Sequence, residues 1–257
     1  MTSSSATNVP SFDLAGKRAL ITGGSRGIGL AAAEALAAFG AHVTLAARPS
    51  ADLNAAVENL KAGAKSADAL ELDVTDTARV QAAIAERAPY DILVNNAGTN
   101  QPVTFLDVTE AQYDTIMTLN VRAAYFVAQA VAQRLVAAGR PGSIINVSSQ
   151  MGHVGAAIRT VYCASKWAME GMTRAMAVVL APQGIRVNTL CPTFIETPLA
   201  GKFLANEKFR GEVLAKIKLG RLGQVGDLTG AIVYLASDAS SLMTGTSMII
   251  DGGWTAD

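Results

Sequence analysis

Short β-branched and aliphatic runs alternate with longer Ala-rich segments of helical period from Leu14 almost to the end of this 257-residue chain. That alternation constrains the fold more than any other feature. Parallel strands need a long crossover between them, and a helix supplies it. Strands are expected at Arg18–Thr22, His42–Ala47, 69–72, 91–95, 143–147, 186–190 and Ser247–Ile250. Helices are expected at 28–39, Ala51–Ala62, 78–87, through most of 113–137, at 161–181 and 227–236, with a helix-rich stretch up to 218. The strand runs lack apolar–polar alternation, as strands covered on both faces do. The reading is α/β: one doubly wound domain over residues 14–257, preceded by a disordered tail at 1–13.

Half of the residues are hydrophobic, enough for a well-packed core at this length. Basic and acidic side chains balance at 21 each, which argues against a nucleic-acid partner, whose phosphates call for clustered Lys and Arg. The Ser-rich start has neither the basic nor the apolar part of a secretory signal, and no apolar run is long enough to span a bilayer, so no membrane partner is expected. Cys163 and Cys191 form no metal-ligand spacing and no disulfide framework, which fits a reducing cytoplasm. Both read as small buried residues.

The first strand runs into Thr22-Gly23-Gly24-Ser25-Arg26-Gly27-Ile28-Gly29. Glycines between a strand and a helix let backbone approach a pyrophosphate, and they aim free helix N–H groups at its charge. A tight turn alone would use the same residues, but its place in the first βα unit favours dinucleotide binding. Gly23, Ser25, Arg26, Gly27, Ile28 and Gly29 are the candidates. An acid ending the second strand would bind the ribose hydroxyl of NAD; here that strand ends Ala46-Ala47-Arg48. Arg26 and Arg48 can converge on a 2′-phosphate, although both could equally be solvated surface arginines. NADP(H) is therefore the preferred cofactor, with NAD(H) possible.

Tyr162-Cys163-Ala164-Ser165-Lys166 opens the long helix after the fifth strand. Four-residue spacing puts Tyr162 and Lys166 on one helix face, where an ammonium can ease phenol ionisation. The glycine turn, Asn95-Asn96-Ala97-Gly98, Ser149 and this pair follow one another in order. The set closely resembles the short-chain dehydrogenase/reductase family from Leu14 to Gly253, including its 3-oxoacyl-(acyl-carrier-protein) reductase-like and gluconate/polyol dehydrogenase-like members.

The resemblance implies a Rossmann-type, seven-stranded parallel sheet of order 3-2-1-4-5-6-7 and hydride exchange between a carbonyl and an alcohol, without a metal. It implies that Tyr162 moves the proton, Lys166 lowers the tyrosine pKa and holds the nicotinamide ribose, and Ser149 holds the substrate oxygen, with Ser148 ranked second. Asn120 would support a water-linked relay. Asp73 and Val74 would meet the adenine, Asn95 would brace the central strands, and Asn96, Ala97 and Gly98 would lie along the cofactor. Pro192, Ile195 and Thr197 would border the carboxamide, with Thr193 where the family has glycine. It further implies a mobile lid around 198–218 and a homotetramer.

Substrate contacts are less legible. Gln101, Gln150 and His153 are candidates, and Arg159 joins them if the substrate is a sugar acid. A sugar acid or polyol and a 3-oxoacyl thioester both remain open as substrates. A non-catalytic dinucleotide sensor or scaffold is the alternative from another class.

Overall fold

The computed structural model describes residues 9–256; positions 1–8 of the expected tail, and residue 257, lie outside them. Residues 9–13 have no regular secondary structure, and the Phe12 ring lies 6.4 Å from that of Tyr234. Leu14 is fully buried, its amide donating to Phe39 O at 2.8 Å.

The strands are β1 (Arg18–Thr22), β2 (His42–Ala47), β3 (Ala67–Glu71), β4 (Ile92–Asn95), β5 (Gly142–Val147), β6 (Ile185–Pro192) and β7 (Ser247–Ile250). They form one sheet of order β3-β2-β1-β4-β5-β6-β7, parallel at each pairing. The helices are α1 (Gly27–Ala38), α2 (Ala51–Ala62), α3 (Thr77–Ala85), α4 (Glu110–Met117), α5 (Ala124–Ala137), α6 (Thr160–Leu180), α7 (Pro198–Leu204), α8 (Glu207–Lys216) and α9 (Gly226–Ala236).

Successive strand residues point to opposite faces, so each strand feeds two cores. Ala19, Ile21, Ile92, Val94 and Ile145 pack with α1, α2 and α9 on one side. Leu20, Leu93, Ile144 and Val187 pack with α3, α5 and the end of α6 on the other. Burial on both faces is why the strands read as continuous apolar runs.

The helix expected over 113–137 starts earlier and is interrupted. Thr109 and Gln112 form a capping box that starts α4 at Glu110. A π turn at Thr118–Ala123 then separates α4 from α5. Strand order reverses between β1 and β4, each of which continues on the opposite side of the other. Such a switch point opens a crevice at the carboxyl ends of the strands, where the glycine turn and the Asn95–Gly98 segment both emerge.

Candidate active site

The glycine turn meets β4 edge to edge. Gly23 and Gly27 have φ of +63° and +57°, which L side chains rarely adopt. A Cβ on Gly29 would stand 2.3 Å from Gly23 O, so α1 approaches the turn as closely as a glycine permits. Thr22 Oγ1 accepts from the amides of Asn96 (2.9 Å) and Ala97 (3.0 Å), and Asn96 Nδ2 donates to Thr22 O and Gly23 O. Arg26, at the helix N-cap, supplies no capping side chain. The opening of α1 thus presents amides at a turn that its glycines keep open, which fits a pyrophosphate.

Around that cradle, Arg26 is exposed, with its guanidinium 3.8 Å from Asp52 at the start of α2. Arg48 is exposed and acts on Asp73 electrostatically. Asp73 Oδ1 accepts from the amide and hydroxyl of Thr75; these bonds, with Arg48, hold its carboxyl below the ordinary range despite partial burial. Val74 is buried in the core, so only its backbone faces outward.

Asn95 Nδ2 donates to Ala124 O at 2.7 Å and to Asn146 Oδ1 at 3.2 Å, and Asn146 Nδ2 donates to Thr173 Oγ1. This buried brace ties β4, β5, α5 and α6 together. Asn120 lies in the π turn, fully buried, and bonds away from its own helix. Its Oδ1 accepts from the Thr99 amide; its Nδ2 donates to Thr99 O and Ser165 Oγ. Ser165 Oγ in turn donates to Tyr162 O, so the π turn anchors the first turn of α6. Gly98 keeps the approach open, since a Cβ there would lie 3.3 Å from Asn120 Oδ1.

One cleft gathers Ser149, Tyr162 and Lys166 with Asn96, Gly98 and Thr197. Ser149 donates to Gln150 Oε1 at 2.8 Å. Lys166 Nζ donates to Val147 O at 2.9 Å and lies 5.6 Å from the Tyr162 ring centroid. Burial brings the Lys166 ammonium down to about 8, against the opposing pull of Cys191 and Glu170. Burial likewise pushes the Tyr162 phenol up, outweighing the Ser149 hydrogen bond and the Arg159 charge. Desolvation dominates the phenol, and the opposing pull comes from Ser149 and Arg159.

The β6 end completes the wall. Pro192, Thr193, Ile195 and Thr197 line the cleft with Ile28. Thr193 keeps its φ out of the left-handed region and donates its amide to Ile250 O at 3.2 Å, so replacing glycine costs the backbone nothing there. Its hydroxyl is buried with no hydrogen-bond partner. Ala200 of α7 also lines the cleft, and Phe209 of α8 packs edge-on to Phe194.

Of the substrate candidates, Gln150 is buried in the cleft wall. Gln101 is not among the residues lining the cleft; it lines a second small hollow with Val103, Gln112 and Ile158, which shares Arg159 with the cleft. His153 also turns away. Its Nε2 lies 3.5 Å from Cys191 Sγ and 3.7 Å from Glu170 Oε1, behind the wall. Glu170 is buried there, accepting from Thr189, Ser247 and Cys191. Sequence reasoning missed this cluster, because its members lie far apart along the chain. It also gave Thr22, Asn146 and Ser165 no role, although Thr22 and Ser165 sit inside motifs already singled out and Asn146 inside an expected strand.

Residues 23–255 match a family model described as enoyl-(acyl carrier protein) reductase. The chain is 39% identical to an L-xylulose reductase of Bos taurus over 243 residues, covering 95% of this chain and 98% of that one. It is 37% identical to a gluconate 5-dehydrogenase of Gluconobacter oxydans over 248 residues, with 95% and 96% covered. A crystal structure of a Burkholderia cenocepacia gluconate 5-dehydrogenase in complex with NADP and tartrate superimposes with a TM-score of 0.92 at 35% identity, covering 96% of this chain and 98% of that one. With that sheet order, that glycine turn and these relatives, the chain belongs to the short-chain dehydrogenase/reductase family and is an oxidoreductase acting on CH–OH and C=O groups.

Proposed function

We propose that the protein transfers hydride between NADP(H) and the carbonyl or secondary alcohol of a small polyhydroxylated compound, a sugar acid or a polyol. The carrying observation is the shared cleft: Ser149, Tyr162 and Lys166 at one end of the glycine cradle, braced by Asn120 through Ser165. Bound at the cradle, the nicotinamide supplies or accepts the hydride. Gly23, Ser25, Gly27, Ile28 and Gly29 would hold the pyrophosphate, and Asp73 and the Val74 backbone the adenine side. Asn96, Ala97, Gly98, Lys166, Pro192, Ile195 and Thr197 would lie along the nicotinamide half. Arg26 and Arg48 would read a 2′-phosphate, with Arg26 exchanging Asp52 for a more highly charged partner. The NADP bound to the Burkholderia relative supports that preference.

During reduction the Ser149 hydroxyl orients the carbonyl oxygen and Tyr162 Oη delivers the proton; in oxidation both steps reverse. Keeping the phenol protonated suits donation, since burial raises its pKa. Lys166 lies 5.6 Å from the Tyr162 ring centroid, and Asn120 fixes the helix turn that carries both groups. The segment 198–218 serves as a lid over the substrate, and the active form is a homotetramer.

NADPH oxidation with 5-keto-D-gluconate and L-xylulose, run beside NADH, tests the reading. Turnover with NADPH preferred is expected. Tyr162→Phe should lower kcat by about 100- to 10,000-fold while NADPH binding persists. A variant as active as the parent would remove the catalytic reading and leave a dinucleotide-binding protein.

A further inference from the structure

Arg159 stands at the substrate end of the cleft, and its surroundings point to one kind of substrate group. Among the described residues lining the cleft, two carry charge, Lys166 and Arg159; no Asp or Glu is among them. Lys166 is engaged with Val147 O beneath the tyrosine. Arg159 is only 6% exposed; it is the N-cap residue of α6, three residues before Tyr162, and lines the same cleft.

Two further features hold it there. Ile158, the preceding residue, has φ +55°, a conformation costly for a β-branched side chain. Its carbonyl is pinned by the Val103 amide at 2.9 Å. That bent peptide turns the chain into α6 and directs Arg159 inward. The rings of Phe194 and Phe209 then lie 5.2 and 5.5 Å from its guanidinium carbon, from the β6 side and from α8. Both rings bring their π faces near the guanidinium, a group whose planar fork of N–H donors matches a carboxylate in two parallel bonds.

We infer that Arg159 binds a carboxylate of the substrate, so that the protein acts on hydroxy or keto acids in preference to neutral ketoses and polyols. This rests on the hydride-transfer reading of the same cleft and narrows its substrate class. The carbonyl sits at Ser149 and Tyr162, and the acid group lies at the entry to α6 on the guanidinium. Burial disfavours the charged guanidinium, so an incoming anion is held more strongly than it would be in water. The contact with Phe209 lets α8 settle over the same ion pair.

Binding and kinetics separate this role from a purely structural one. Calorimetry on the protein–NADPH complex compares tartrate with threitol, its neutral counterpart. Tartrate should bind at least about 10-fold more tightly, Arg159→Gln should erase the difference, and Arg159→Lys should retain part of it. Equal affinity for the two, or a preference that survives in Arg159→Gln, overturns the inference whether or not a substrate has been found. In NADPH oxidation, Arg159→Gln should lower kcat/KM for 5-keto-D-gluconate by about 10- to 100-fold more than for L-xylulose, since losing its charge beside Tyr162 acts on both substrates alike. An equal fall on both would make Arg159 a pin for α8 and the helix start, overturning the inference while leaving hydride transfer intact. If neither compound is reduced although tartrate binds through Arg159, the hydride-transfer reading fails on these substrates and the anion site stands.

Discussion

Lys166 shows how position along the cleft sets the chemistry of a single side chain. Its ammonium is brought from 10.5 to about 8 by burial. Below about pH 8 it carries its charge; above that, the folded protein loses the proton while the unfolded chain keeps it up to about 10.5. Over that window the unfolded state binds more protons, so this group adds stability as pH rises, even as the site loses its cation. Reductive kcat/KM should therefore fall above about pH 8, and Lys166→Arg, whose guanidinium stays charged, should move that alkaline limb upward. A pH profile from 6.5 to 10 of both proteins checks it; an unmoved limb would assign the titration elsewhere. The Tyr–Lys pair was legible from four-residue spacing in the sequence. The direction of the tyrosine shift was not, because desolvation depends on what packs around the ring.

At the scale of single elements, the first βα unit and the α4–α5 helix pair differ in how far their sequences reveal them. The glycine turn is visible because glycine adopts φ of +63° and +57° at far lower cost than any residue with a Cβ. Gly29 adds a tighter demand, since a Cβ would meet Gly23 O at 2.3 Å. Gly29→Ala must push α1 off the turn, and we expect NADPH affinity to fall by at least about 10-fold while α/β circular dichroism is kept. Fluorescence titration with NADPH measures this; unchanged affinity would mean the cradle does not hold the pyrophosphate. The π turn at Thr118–Ala123 left no mark on the periodicity, because one extra residue in a helical ladder shifts the hydrogen bonds and not the composition. It nevertheless sends Asn120 out of its own helix to Thr99 and Ser165.

For the molecule as a whole, the sheet and its two cores account for most of the apolar sequence, and part of what they leave outside is concentrated. Tyr125 on α5, and Trp167, Val178 and Val179 on α6, are exposed; Val178 and Val179 keep 78% and 68% of their surface open. Exposed apolar side chains grouped on neighbouring helices suit association of copies, with Ala residues allowing close approach. Sedimentation equilibrium should give about four times the 26.6 kDa chain mass. Val179→Asp should shift it to smaller species, since a charge in an apolar contact is costly. A monomer at micromolar concentration would remove the tetramer. Among the described residues no helix is long and apolar enough to cross a membrane, so these faces are not spans.

The rhythm of strands and helices, the cofactor turn and the Tyr–Lys pair were determined by the sequence alone, since each depends on local geometry: a repeat of two or 3.6 residues, a glycine conformation, a helix-face spacing; Ser149 entered through the family resemblance. Tertiary structure decided which side chains face the cleft. His153 and Gln101 occur in loops that suggested substrate contact, yet packing turns His153 to Glu170 and Cys191 and leaves Gln101 in a second hollow. Arg159, one of several polar residues in the sequence, lies beside the tyrosine because a strained peptide at Ile158 and two rings from distant segments hold it there. Contacts between residues so far apart along the chain are set by how the layers pack, and no local pattern encodes them.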